Sequence, residues 1–256
     1  MEYREFRAPS WSPVERIWIA RGAGGAPETI LPDGRFELIF NLADPVLQDG
    51  ASQPRAMLAA ETRRAVSIAS TGRIEFVGVR LRDAAVGQVL GCPPRLLRDR
   101  MIDLHALAPA LDLSERLAEA DDERRVATIL GAFGAHERHP LAANAAALIR
   151  RSGGRLSISR LASAYGVSIR TLSRAFDRAL GLTPKTLARV MRLGRAAAWL
   201  REGEVAADVA LRAGFADQSH MTHEFRAIAR LSPSRWLELP PGLGVQFLQD
   251  PAGPAA

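Results

Sequence analysis

The side chains that could do covalent or metal chemistry in this chain are few and poorly grouped. His136 and His139 stand three apart with Glu137 between them, a spacing a metal could use, but no third ligand accompanies them. Both fall in Gly134–Pro140, which reads as a linker, and His105 stands well apart from them. Cys92 is the one cysteine, which excludes an internal disulfide and a cysteine-cluster metal site. It reads as a small apolar residue rather than a redox sensor. There is no Walker loop, no glycine-rich dinucleotide motif and no nucleophile elbow, so no cofactor is called for.

What the chain offers instead is positive charge in one place. Of its 34 basic residues, 33 are arginine, and the net charge is +6. Residues 140–239 carry 16 Lys+Arg against 7 Asp+Glu, a net +9, whereas the remainder carries 18 against 21, a net −3. A basic segment attached to a near-neutral one suggests a polyanionic partner for the basic part alone. Charge by itself is also compatible with a merely solvated arginine-rich surface.

The basic segment contains one pattern twice. Leu161-Ala162-Ser163-Ala164-Tyr165-Gly166-Val167 recurs 48 residues later as Val209-Ala210-Leu211-Arg212-Ala213-Gly214-Phe215. Beyond the turn the offset is 49: Leu172, Phe176, Leu182 and Pro184 answer to Met221, Phe225, Leu231 and Pro233. The extra residue falls in the turn, where a repeat absorbs it. Each copy has the parts of a helix-turn-helix: a small residue where the helices cross (Ala162, Ala210), a glycine for a positive-φ turn (Gly166, Gly214), and apolar anchors four apart on the second helix. The spacing predicts helices over 141–152, 157–165, 169–180, 184–201, 205–213, 218–229 and 233–239. Ser168 stands at an N-cap position, and Thr183-Pro184 and Ser232-Pro233 each give a cap followed by proline.

Residues 214–226, Gly-Phe-Ala-Asp-Gln-Ser-His-Met-Thr-His-Glu-Phe-Arg, followed by Leu231-Ser232-Pro233-Ser234-Arg235-Trp236, resemble the signature of the AraC/XylS family of transcription regulators. Arg192-Leu193-Gly194-Arg195-Ala196 and Leu200 are similar to the family's long connecting helix. The resemblance covers roughly residues 140–238. It implies an all-α DNA-binding domain in which two helix-turn-helix subdomains, joined by one long helix, read successive major-groove segments of double-stranded DNA. By position, Arg170, Ser173 and Arg174 would face bases from the first recognition helix, and Gln218, Ser219, His220 and His223 from the second. An arginine there can donate two hydrogen bonds to a guanine edge, and glutamine can pair with adenine. His223 departs from the Arg or Lys often found at its position. Asp217 reads as a helix cap. Lys185, Arg189 and Arg192 are the expected phosphate contacts. RNA polymerase is a further partner that the family implies.

Residues 1–135 form the other expected domain, α+β, with 136–240 as the DNA-binding domain and 241–256 as a Pro/Gly-rich, disordered tail. Phe36, Leu38, Phe40 and Leu42 alternate as a half-buried strand requires, after the turn signal Pro32-Asp33-Gly34. A second strand is expected over Arg73–Leu81, with loop from Ala43 to Arg55. The pattern turns helical from Asp83, with Val86, Val89 and Leu90 on one face and Cys92-Pro93-Pro94 ending the element, and further helices are expected at Pro94–Arg100 and Leu113–Phe133. Pro32-Asp33-Gly34, Gly91-Cys92-Pro93-Pro94 and Asp103-Leu104 resemble the N-terminal domain of a subset of these regulators, which implies sensing of a small-molecule effector or homodimerisation. No run of about 18 uncharged apolar residues suggests a membrane span, the charged N-terminus reads as no secretory signal, and a cytoplasmic protein is expected. Two rivals remain open on sequence: an enzyme tethered to DNA, which would need clustered acid, base or nucleophile residues, and an architectural DNA binder without a ligand.

Overall fold

The computed structural model describes residues 1–60, 62–135 and 140–239. His136, His139 and the tail over 241–256 lie outside them. In chain order the strands are β1 (Glu2–Arg7), β2 (Val14–Ala23), β3 (Glu28–Ile30), β4 (Glu37–Asn41), β5 (Val46–Gln48), β6 (Ala51–Ser52), β7 (Ala56–Ala59), β8 (Val66–Ser70), β9 (Arg73–Leu81) and β10 (Met101–Asp103). The helices are α1 (Val86–Leu90), α2 (Leu104–Leu107), α3 (Ser114–Ala118), α4 (Asp122–Gly131), α5 (Pro140–Arg151), α6 (Ile158–Ala164), α7 (Ile169–Leu180), α8 (Pro184–Arg201), α9 (Ala206–Ala213), α10 (Gln218–Ala229) and α11 (Pro233–Glu238). The architecture is an α+β N-terminal part followed by a helical C-terminal part. Among the described residues no helix is long and apolar enough to cross a membrane.

The described residues divide into two compact units that do not follow a single cut of the chain. One holds residues 1–27, 35–60 and 68–135; the other holds 28–34, 62–67 and 140–239. The first is built on a six-stranded antiparallel sheet in the order β1-β2-β9-β4-β7-β10, and beside it β5 pairs with β6 and β8. Alternation sends Ile17, Ile19, Leu38, Phe40, Val77, Val79 and Leu81 to one face, where they meet Leu90, Leu104, Leu117 and Ile129 in a closed apolar core. On the other face Arg80 Nε donates to Glu37 Oε1 at 2.6 Å, and Trp18 Nε1 to Glu37 Oε2 at 3.3 Å. Gly78 makes that arrangement fit, because a Cβ there would overlap the Trp18 ring.

Three expectations for this half are corrected. The 43–55 stretch is not all loop, since β5 and β6 lie within it; their two or three residues are too short to show alternation. Only Pro94–Leu96 becomes helical, as a single 3-10 turn. The expected helix over 113–133 is two helices, because Asp121 is extended and its carboxylate accepts from Arg124 N, starting α4 anew. Cys92 is partly buried against the apolar core.

The second unit packs α5–α11 around α8. Its larger cluster joins Leu193, Ala196, Ala197 and Leu200 of α8 to Val209, Ala210, Met221, Phe225 and Trp236. Leu31 and Ala65 belong to the same cluster, and Ala65 N donates to Ile228 O at 2.7 Å. Arg150 of α5 donates to the carbonyls of Asp33 and Gly34, both at 2.8 Å. Two short stretches from early in the chain are thus integral parts of the helical unit.

Candidate nucleic-acid interface

The repeat seen in the sequence recurs in the bonds that build the two turns and start the second helices. In the first copy Ser168 ends the turn and its hydroxyl accepts from Thr171 N at 3.0 Å; in the second, Asp217 accepts from His220 N at 2.7 Å. Val167 N donates to Ala162 O at 3.0 Å, as Phe215 N does to Ala210 O at 2.9 Å. Gly166 and Gly214 take φ of +63° and +90° at the corresponding turns. α7 ends on Gly181 at φ +73° and α10 on Arg230 at φ +60°. Thr183 and Ser232 then cap α8 and α11 through Thr186 N and Arg235 N. One scaffold, repeated, sets two second helices in equivalent frames.

Each of those helices is anchored from beneath. Leu172 and Phe176 of α7, and Met221 and Phe225 of α10, are wholly buried. Their opposite faces carry the expected readers. Arg170, Arg174, Gln218, Ser219, His220 and His223 are exposed, and Ser173 is half-buried. Arg170, Ser173 and Arg174 share one face of α7 by their three- and four-residue spacing. Ile169, at the start of α7, is 50% exposed. Sequence reasoning passed it over because a lone isoleucine beside a cap looks like part of the core. His220 is less available than its neighbours: its Nδ1 accepts from Ala216 N at 3.2 Å and its ring stands edge-on to Phe215 at 5.5 Å. Asp217 is the cap that the sequence suggested.

Of the three expected phosphate contacts, only Lys185 projects as an exposed cation, in the first turn of α8. Arg189 instead pairs with Glu224 of α10 at two points, Nε to Oε2 at 2.8 Å and NH2 to Oε1 at 3.1 Å. Burial would push the Glu224 carboxyl up, but its hydrogen bonds and charge contact with Arg189 outweigh that and hold it below its ordinary value. Arg192 NH1 donates to Gly154 O at 2.9 Å, its guanidinium lies 5.7 Å from the Phe215 ring, and its Nε is buried. Burial lowers the Arg192 pKa. These two side chains brace α8 against both subdomains. Among the described residues no three His, Cys, Asp or Glu side chains gather to hold a metal, and His105 faces Asp112 at 3.5 Å.

Comparison with known proteins meets the two parts of the chain separately. A family model described as a helix-turn-helix domain matches residues 161–238, and a domain of unknown function (DUF6597) matches residues 12–103. The HTH-type transcriptional activator RhaS of Escherichia coli is 36% identical over 74 residues, covering 28% of this chain and 27% of RhaS. The match therefore spans about a quarter of the length of the curated relatives. Among solved structures, ToxT from Vibrio cholerae aligns over 94% of this chain and all of its own, at 10% identity and a TM-score of 0.49. An AraC-type DNA-binding regulator from Chromobacterium violaceum aligns over 40% of this chain and 96% of its own, at 27% identity and a TM-score of 0.37. Residues 161–238 therefore form a helix-turn-helix domain.

Proposed function

We propose that the whole chain is a sequence-specific transcription regulator that binds double-stranded DNA through α7 and α10 and acts by binding rather than catalysis. The observation that carries this reading is the duplicated scaffold, which presents two polar helix faces in equivalent frames. Arg170, Ser173 and Arg174 read bases in one major-groove segment, and Gln218, Ser219 and His223 in the next. Their centres should lie about 34 Å apart, one turn of the duplex. His220 contributes through its remaining ring nitrogen while its other holds the turn. Ile169 adds an apolar contact suited to a thymine methyl group. Lys185 sits against a phosphate, with Arg189 and Arg192 holding the two subdomains in place behind it.

The first unit, over most of residues 1–135, is where control enters, through a small-molecule effector or through dimerisation, and RNA polymerase is the downstream partner. RhaS is named as an activator, and activation is the corresponding expectation here. Selection of bound duplexes from random DNA, followed by footprinting, tests the central claim. Enrichment of a bipartite site with half-sites about one turn apart is expected. Recovery of no sequence above the random background would overturn it.

A further inference from the structure

Four arginines converge between the two helix-turn-helix subdomains. Arg155 comes from the loop before α6, Arg192 and Arg195 from α8, and Arg212 from the end of α9. The turn glycines let them close in. A Cβ on Gly214 would stand 3.1 Å from Arg155 Cγ and 3.4 Å from Arg192 Cδ, and one on Gly153 would stand 2.6 Å from Arg195 Nε. Arg195 and Arg212 share one indole, with their guanidinium carbons 5.7 and 3.6 Å from the Trp199 ring centre.

Two of the four are committed: Arg212 to Glu204 at 2.6 Å, and Arg192 to Gly154 O. The other two are not. Arg155 is exposed and makes one long bond, from Nε to Ser152 O at 3.4 Å. Arg195 makes ring contact with Trp199 and no hydrogen bond or ion pair among the described residues. Burial lowers the Arg195 pKa, and the charges of Arg155 and Arg212 lower it further. Folding therefore gathers like charges; Glu204 answers Arg212 and the charge of Glu224 reaches Arg192, while Arg155 and Arg195 have no carboxylate partner among the described residues. Such a cluster is costly unless an anion completes it.

We propose that Arg155 and Arg195 form a seat for a backbone phosphate of duplex DNA between the two half-sites, with Arg192 and Arg212 as its frame. The location favours a phosphodiester over other anions. Arg155 leads into the first subdomain, while Gly214, against which it lies, is the turn into α10. A duplex read by α7 in one groove segment and by α10 in the next must present its sugar–phosphate ridge to the protein between them. The guanidinium fork matches two phosphate oxygens at once. This inference rests on the DNA-binding reading above and adds a contact that neither recognition helix makes.

The test uses the full chain and the duplex selected for it. Arg155→Gln and Arg195→Gln keep most of the side-chain stem and remove the charge. Each should flatten the log affinity against log salt slope by about one. Between 50 and 200 mM salt each variant should then lose affinity about 3.5-fold less steeply than the unaltered chain. Phosphate-ethylation interference between the half-sites should vanish in both variants while interference within each half-site persists. Unchanged slopes and unchanged interference, with binding intact, overturn this proposal alone. If inorganic phosphate raises the melting temperature of the unaltered chain but of neither variant, while DNA slopes stay fixed, the seat serves a free anion and the proposal is wrong. If the unaltered chain enriches no duplex, the DNA-binding reading fails and this inference falls with it.

Discussion

Arg189 on the connecting helix and Glu224 on the second recognition helix form a two-point ion pair, at 2.8 and 3.1 Å, across 35 residues of sequence. The Glu224 side chain is 12% exposed and that of Arg189 38%, so solvent screens one end only. The pair ties α10 to α8, and the Arg192–Gly154 bond one helical turn on ties α8 to the loop before α6.

Glu224→Ala should cost on the order of 1 kcal/mol of stability, since a charged hydrogen bond is lost but half its partner is solvated. Its more specific effect should be on spacing. Against duplexes in which the half-sites are moved apart or together by one base pair, the variant should discriminate less than the unaltered chain. The charge-exchanged double variant Arg189→Glu/Glu224→Arg should restore part of that discrimination. A variant that weakens equally at every spacing would show the pair to be merely stabilising.

Arg174 and Lys185 should fail in different ways. Arg174→Ala is expected to cost about 1–3 kcal/mol on the preferred site and to relax base preference at one position. Lys185→Ala should weaken all duplexes about equally and lower the salt slope by about one. Footprinting titrations on preferred and scrambled sites separate the two outcomes. If Arg174→Ala leaves affinity and preference unchanged, α7 is not the reader.

The two copies of the scaffold end their second helices differently. Gly181 takes φ +73° without steric cost, whereas Arg230 takes φ +60° with a Cβ. A left-handed conformation costs an L-residue roughly 1–2 kcal/mol, offset in part by the extra freedom glycine loses on folding. Arg230→Gly should therefore stabilise the chain by about 0.5–1 kcal/mol, and Gly181→Ala should destabilise it by a similar amount. Chemical denaturation midpoints measure both, and a fall in stability for Arg230→Gly would contradict the assignment.

Gly34 lies far outside the helix-turn-helix sequence, yet it should matter to that unit. Its φ is +67°, a Cβ on it would stand 2.8 Å from Leu187 Cδ1, and its carbonyl accepts from Arg150. Gly34→Ala should cost more than 1 kcal/mol, through backbone strain and overpacking at a wholly buried leucine. The same change should lower DNA affinity. Thermal unfolding followed by circular dichroism, with a binding titration beside it, provides the check.

Acid should weaken the first unit in a defined direction. Hydrogen bonds from Arg21 hold the Asp122 carboxyl below its ordinary value of 3.8, burial opposes this, and Arg4 adds to it. Glu75 is pushed up by burial but held below its ordinary 4.5 by Arg125 and Arg21. A carboxylate depressed by folding adds stability that is complete above its unfolded pKa and lost as pH falls through its folded one. Stability should therefore be level above about pH 5 and decline below pH 4. Asp122→Asn should be less stable than the parent at neutral pH and lose less on acidification. Urea midpoints measured from pH 7 to pH 3 distinguish these cases.

The helical half was legible because its rules are local. Three expected helices, Ile169–Leu180, Pro184–Arg201 and Gln218–Ala229, have the bounds that the sequence suggested. Caps, positive-φ turns and apolar anchors act within one or two helical turns, so Ser168, Gly166 and Phe176 announce themselves in a single chain. The sheet was less legible. Only β4 and β9 were expected as strands; β1 and β10 lie at the edges of the sheet, where β10 is defined by pairing with β7 far back in the chain, and β5 and β6 are too short to alternate. Residue types and spacing alone established the duplicated helix-turn-helix and the face each second helix would offer. Only the tertiary structure decided that Arg189 and Arg192 turn inward while Lys185 stays out. It also decided that residues 28–34 and 62–67 belong with the helices. A charge takes the partner that folding brings within reach, and that distance is set by packing across the whole unit, which no local pattern encodes.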